Sequence, residues 1–100
     1  MEVKINSVHF NADQKLQDFV NKKVSKLETF FDGIIKAEVT LKVSKPETAN
    51  NKVSELRLST PSMGNLFAKK QADSFEEATD LAIDAIKKQI DKYKEKLKNK

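Results

Sequence analysis

The sequence predicts an α+β domain ordered β-α-β-β-β-α: a four-stranded mixed sheet with two helices packed on one face. Three observations lead there. Several short stretches alternate apolar and polar residues at the period of a strand. Two longer stretches repeat apolar residues at steps of three and four, the period of an amphipathic helix. The last three strands are joined by short, turn-rich connectors. The 100 residues suit a single domain over 1–100, with room for a modest core.

Residues 2–9 form the first predicted strand, with Val3 and Ile5 on one side and Lys4 and Asn6 on the other. Val8 and Phe10 then fall on the opposite parity, which predicts a bulge or the turn into the next element. Asn11 followed by Gln14 has the spacing of a capping box for a first helix over 12–31. Leu16, Phe19, Val20, Val24, Leu27 and Phe31 make its apolar stripe, and Gly33 provides a left-handed stop.

Residues 34–44 set Ile35, Ala37, Val39, Leu41 and Val43 against Lys36, Glu38, Thr40 and Lys42, the pattern of a half-buried strand. A connector over 45–51 precedes a strand over 52–60, with Leu56 and Leu58 inward. A tight turn over 61–65 precedes a fourth strand over 66–72. The last helix spans 73–100. Ser74 is its N-cap, with Glu77 completing the box, and Phe75, Ala78, Ala82, Ile86, Ile90, Tyr93 and Leu97 share its buried face. The first strand, first helix and second strand form a crossover unit, so those strands should be parallel and the remaining pairs antiparallel. The second sheet face, bearing Glu38, Thr40, Lys42, Glu55, Arg57 and Lys69, should meet solvent or a ligand.

Composition excludes several chemistries. With no cysteine there are no disulfides, thiolate zinc sites or thiol catalysis. No apolar run approaches the length of a membrane span, and the start MEVKINSVHF lacks a signal-peptide core, so the expected compartment is the cytoplasm. Two glycines leave no phosphate-cradling loop. The lone histidine, His9, has no second imidazole or thiol with which to share a metal, and reads as a surface or capping residue. Asp80 and Asp84 lie one turn apart, but the acids of the last helix sit in its first turns, where the macrodipole favours them. No enzyme, metal, cofactor or small-molecule substrate is expected.

The basic residues are more informative. Residues 71–86 carry five acids and no Lys or Arg, whereas 87–100 carry seven lysines against two acids. That end alone exceeds the formal +4 of the whole chain. Lys15, Lys22 and Lys26 line one side of the first helix with Lys23 beside them, while Lys87, Lys94 and Lys98 line the last helix with Lys88 and Lys92 adjacent. Helices packed side by side could merge these lysines into one cationic surface suited to a polyanion. An ordinary solvated face is the other reading, because lysines also complement helix C-termini and keep domains soluble. Physics alone leaves both open. Only Phe67 among the aromatics is placed on the open sheet face, and one ring is not a paired stacking platform.

Residues 19–31, FVNKKVSKLETFF, together with Ala78-Thr79-Asp80, Lys88-Gln89-Ile90-Asp91-Lys92 and Lys94-Glu95-Lys96-Leu97-Lys98, resemble the bacterial ribosome hibernation-promoting factors and ribosome-associated inhibitors. The resemblance covers nearly the whole chain and rests on the element order plus two matching helices. It implies a fold like that of double-stranded-RNA-binding domains. It also implies a cytoplasmic, ribosome-associated protein that binds the small ribosomal subunit between head and body, against 16S rRNA and neighbouring ribosomal proteins. There it would compete with mRNA and tRNA and silence idle ribosomes. Matched position by position, Lys22, Lys23 and Lys26 of the first helix and Lys88, Lys92 and Lys96 of the last are the implied rRNA contacts.

Ser74 and Glu76 depart from the second acid and the tyrosine that many members carry at the start of the last helix, so any contact made there is altered. The chain ends at Lys100, which resembles the short hibernation-promoting form rather than the long form or the tailed inhibitors. Two other readings remain: a general double-stranded-RNA-binding module, and a protein-interaction domain whose lysines only confer solubility. Against the first, Asp73, Glu76 and Glu77 at the last helix start would repel phosphate.

Overall fold

The computed structural model describes residues 1–45 and 49–98. Four strands, β1 (Glu2–Val8), β2 (Lys36–Val43), β3 (Lys52–Thr60) and β4 (Gly64–Ala72), form one sheet in the order β1-β2-β3-β4. β1 and β2 run parallel, and the other two pairs are antiparallel. Helix α1 (Gln14–Ser25), its short continuation α2 (Leu27–Phe30) and the long α3 (Phe75–Lys98) complete the expected β-α-β-β-β-α order. The predicted connector residues 46–48, the last two residues of the predicted final helix and the side chains of Leu97 and Lys98 lie outside the described residues.

The core is one layer between the sheet and the helices. Ala37, Val39 and Leu41 of β2, Leu56 and Leu58 of β3 and Ala68 of β4 meet Val20, Val24 and Leu27 from the first helical segment and Ala82, Ile83, Ile86 and Ile90 from α3. Strand periodicity sends alternate side chains to opposite faces, so one apolar row per strand is enough to seat both helices on the same side. Thr79 and Ile83 join the buried face of α3, one position beyond its regular stripe. α3 starts as expected: Ser74 Oγ accepts a hydrogen bond from Glu77 N at 3.1 Å.

The structure corrects several local expectations. The first helix is capped by Asp13, whose carboxylate accepts from Leu16 N at 2.8 Å, and not by Asn11. It does not run to residue 31. At Lys26 the α-helix is interrupted, and the Lys26 carbonyl accepts both Thr29 N (3.1 Å) and Thr29 Oγ1 (2.7 Å). A hydroxyl competing for a backbone carbonyl three residues back tightens the turn, and this is the local cause of the break. Gly33 is left-handed (φ 94°), but it acts after Phe31 has already gone extended, in the turn into β2.

The parity change after Ile5 is a turn and not a bulge. β1 stays in register with β2 through Val8, and His9 then adopts φ 68°. The left-handed residue swings Phe10 back to the helix side, where its ring stacks on Phe75 at 4.6 Å. β4 begins at Gly64 rather than residue 66, because Gly64 (φ 71°) closes a tight turn. Thr60 Oγ1 braces that turn by accepting from Met63 N (2.9 Å) and donating to Gly64 O (3.1 Å).

Candidate nucleic-acid interface

Packing α1 against α3 brings lysines of the two helices together. Lys23, Lys26 and Lys87 line a groove of about 410 Å3 whose floor is Leu27 and Ile83 and whose acids are Asp80 and Asp84. Lys23 is half-buried, its ammonium 5.6 Å from the Phe19 ring centre and 3.7 Å from Asp80 Oδ1. Lys87 stands 5.5 Å over Phe30. Lys94 lies 4.7 Å over the same ring and 5.8 Å from Phe31, and donates a hydrogen bond to Phe30 O at 3.3 Å. Cation–π contacts of this kind hold a flexible chain in place at a gain of about 0.5–1 kcal/mol at exposed sites. Lys94 is therefore largely a strut between α3 and the end of α2.

Lys88 and Lys92 point elsewhere. With Lys70 of β4 they border a second depression, about 320 Å3, between α3 and the sheet edge, floored by Leu81 and Ala85 and sharing Asp84 with the first groove. Successive helical residues are separated by about 100°. Lys87 and Lys88 thus open onto opposite flanks of α3, and the lysines form two cationic flanks rather than one merged row.

Of the six site residues expected from the sequence, Lys22, Lys26, Lys88, Lys92 and Lys96 are exposed and have no ion-pair partner among the described residues. Their ammonium groups are available to phosphate. Lys23 is shared with Asp80. The six omit Lys70, and also Lys87, which the sequence placed on the cationic side of the last helix. Lys70 was readable: it stands on the helix-facing parity of edge strand β4, between Ala68 and Ala72, where a lysine blunts the strand edge. Lys15 lies apart, bordering a depression with Phe10, Asn11, Asp13, Leu16 and Glu76.

Among the described residues, no group of three or more His, Asp or Glu side chains could hold a metal ion. Among the described residues, no helix is long and apolar enough to cross a membrane. The acids of the last helix are solvated, as Asp80 and Asp84 illustrate on the rim of the lysine groove.

Comparison with known proteins places this surface in context. Residues 3–98 match the family model described as sigma 54 modulation protein / S30EA ribosomal protein. The ribosome hibernation promoting factor of Pseudomonas putida KT2440 is 33% identical over 96 residues, covering 96% of this chain and 89% of the relative. That of Escherichia coli K12 is 30% identical over 98 residues, covering 98% of both. Two solved structures share the fold. A ribosomal subunit interface protein from Coxiella burnetii has TM-score 0.81 at 18% identity, covering 94% of this chain and 98% of that one. The N-terminal domain of Thermus thermophilus Protein Y has TM-score 0.76 at 22% identity, covering 93% and 99%. A match over nearly every residue, a shared element order and two lysine-bearing helices agree: the chain belongs to the sigma 54 modulation protein / S30EA ribosomal protein family.

Proposed function

We propose that this protein is a ribosome hibernation factor that docks on the small ribosomal subunit in the channel of mRNA and tRNA and silences translation by occupying that space. The observation that carries this reading is kinship over almost the full chain with proteins named ribosome hibernation promoting factors. The arrangement of charge supports its manner of binding. Lys22, Lys23 and Lys26 on the first helical segment and Lys88, Lys92 and Lys96 on α3 are the rRNA contacts. Lysine meets phosphate as a point charge, so these contacts give affinity and orientation without reading sequence. The mechanism is steric. It needs a rigid wedge and a cationic anchor, with no nucleophile, metal or cofactor.

The test is sedimentation of the protein with purified bacterial small subunits across a salt series, with tRNA and mRNA as competitors. Near-stoichiometric binding that both competitors reduce is expected. Neutralising about six phosphates, one per lysine, should make log affinity fall by about 4.2–5.4 per tenfold rise in salt. Failure to bind even at low salt overturns the proposal. Equal binding to free duplex RNA would identify a general RNA-binding module instead.

A further inference from the structure

The sheet face turned away from the helices carries a second feature that the lysine surface does not use. Rows across the strands are set by register: Lys4, Glu38, Arg57 and Phe67 form one, and Asn6, Thr40, Glu55 and Lys69 the next. In the second row the charge is satisfied, because Glu55 pairs with Lys42 at 2.8 Å and Lys69 at 3.9 Å. In the first row it is not. Glu38 and Arg57 are direct cross-strand partners of opposite charge, a placement that normally yields an ion pair. Neither has an ion-pair partner among the described residues. The Arg57 guanidinium instead lies 5.5 Å from the centre of the Phe67 ring, which is 44% exposed. Between them is a depression of about 150 Å3 lined by Glu38, Thr40, Glu55, Arg57 and Phe67.

We infer that this depression is a binding slot for a single guanine base. Its groups are an unpaired acceptor pair on Glu38, the donor fork of Arg57 lying against the Phe67 ring, and the exposed remainder of that ring. Guanine complements all three. Its N1–H and N2–H donors suit a carboxylate, its O6 and N7 acceptors suit a bidentate guanidinium, and its ring stacks on an aromatic surface. Adenine fits poorly, since its N1 lone pair would face the carboxylate. The volume lies below the roughly 300–1,000 Å3 of pockets that enclose whole drug-sized ligands, so only the base is held. Lys4 beside Glu38 and Lys36 two residues before it lie on the same face and favour an attached phosphate. Both an unpaired guanine in RNA and a free guanine nucleotide present this chemistry. The inference goes beyond the function proposed above and does not depend on it.

The test is titration of the full 15N-labelled chain with GMP, AMP and guanosine, read by amide chemical shifts. GMP and guanosine should shift Glu38, Thr40, Arg57 and Phe67, with AMP at least about tenfold weaker. Glu38→Gln and Phe67→Ala, both on the solvent face, should each lower GMP affinity about tenfold while the remaining amides stay in place. The RNA pentamers UUGUU and UUAUU separate the sources. Tighter binding of UUGUU than GMP assigns RNA guanine, and the reverse order assigns a free nucleotide. Equal GMP and AMP affinity overturns the inference. So do an inert guanosine beside an active GMP, shifts confined to α1 and α3, and no shifts at millimolar GMP.

Discussion

Thr79 of α3 donates a hydrogen bond from its hydroxyl to Ser54 Oγ of β3 across 3.1 Å, and both side chains are sealed from solvent. It is the one buried side chain–side chain hydrogen bond among those described, and it fixes the long helix over the sheet centre. Removing Ser54 Oγ leaves a buried hydroxyl without its partner, at a cost of about 1–3 kcal/mol. Ser54→Ala should lower unfolding stability in urea by that amount, and adding Thr79→Val should recover much of it. A cost below about 0.5 kcal/mol would mean that the threonine hydroxyl turns back to a carbonyl of its own helix.

The stack of Phe10 on Phe75 links the end of β1 to the start of α3. Phe10 is only half-buried, so its loss should cost less than the 3–5 kcal/mol of a fully enclosed ring. Phe10→Ala should destabilise by about 2–3 kcal/mol in denaturant melts, part of it from the lost ring pairing. Phe10→Leu, which keeps apolar volume but not the π surface, should recover more than half.

The helix start discriminates between two neighbouring residues with equal capping chemistry. Asp13→Ala should cost about 1 kcal/mol, because its carboxylate accepts from Leu16 N. Asn11→Ala should cost a few tenths at most. Equal effects in thermal or urea unfolding would return the cap to Asn11.

That ambiguity shows where the sequence is legible and where it is not. β3 is readable to the residue because turn residues flank it on both sides and Leu56 and Leu58 alternate inward, although Val53 falls on the other parity. The core face of α3 from Phe75 to Ile90 is largely plain, since a 3.6-residue stripe describes all of it but Thr79 and Ile83. The reversal from β1 into α1 was not readable. His9 carries no glycine-like signal for φ 68°, and Asn11 and Asp13 are interchangeable by type. The break at Lys26 depends on one Thr29 hydroxyl choosing a carbonyl. The lysines were visible individually, but their separation onto two flanks of α3 is a packing fact. It follows from the helix rotation that buries Ile83 and Ile86, which sequence spacing constrains only within one face.

Asp80 places a negative charge inside the lysine groove, 3.7 Å from Lys23. Asp80 is exposed and Lys23 only half-buried, so solvent screens the pair and it adds little to stability, about 0–1 kcal/mol. On the proposed rRNA contact its larger effect would be on an incoming phosphate, which must approach past the carboxylate. Asp80→Asn should lower the melting transition by no more than about 4–8 °C and strengthen small-subunit binding several-fold at low salt, with the gain fading as salt screens the groove. Weaker binding of this variant would mean that Asp80 orients Lys23 rather than opposing the ligand.

The two flanks can be told apart by paired charge reversals. Lys22→Glu with Lys26→Glu alters the α1 side, and Lys88→Glu with Lys92→Glu alters the side shared with Lys70. All four positions are exposed and free of ion pairs among the described residues, so neither double variant should unfold the domain. If each lysine neutralises one phosphate, each double variant should lower the slope of log affinity against log salt by about 1.4–1.8. The absolute loss should be larger, because each glutamate also repels. Equal slope changes from both pairs would mean that rRNA wraps α3 on both sides, as the six proposed contacts require. A change from one pair alone would confine the contact to that flank, and wild-type binding by both would remove the lysines from the mechanism.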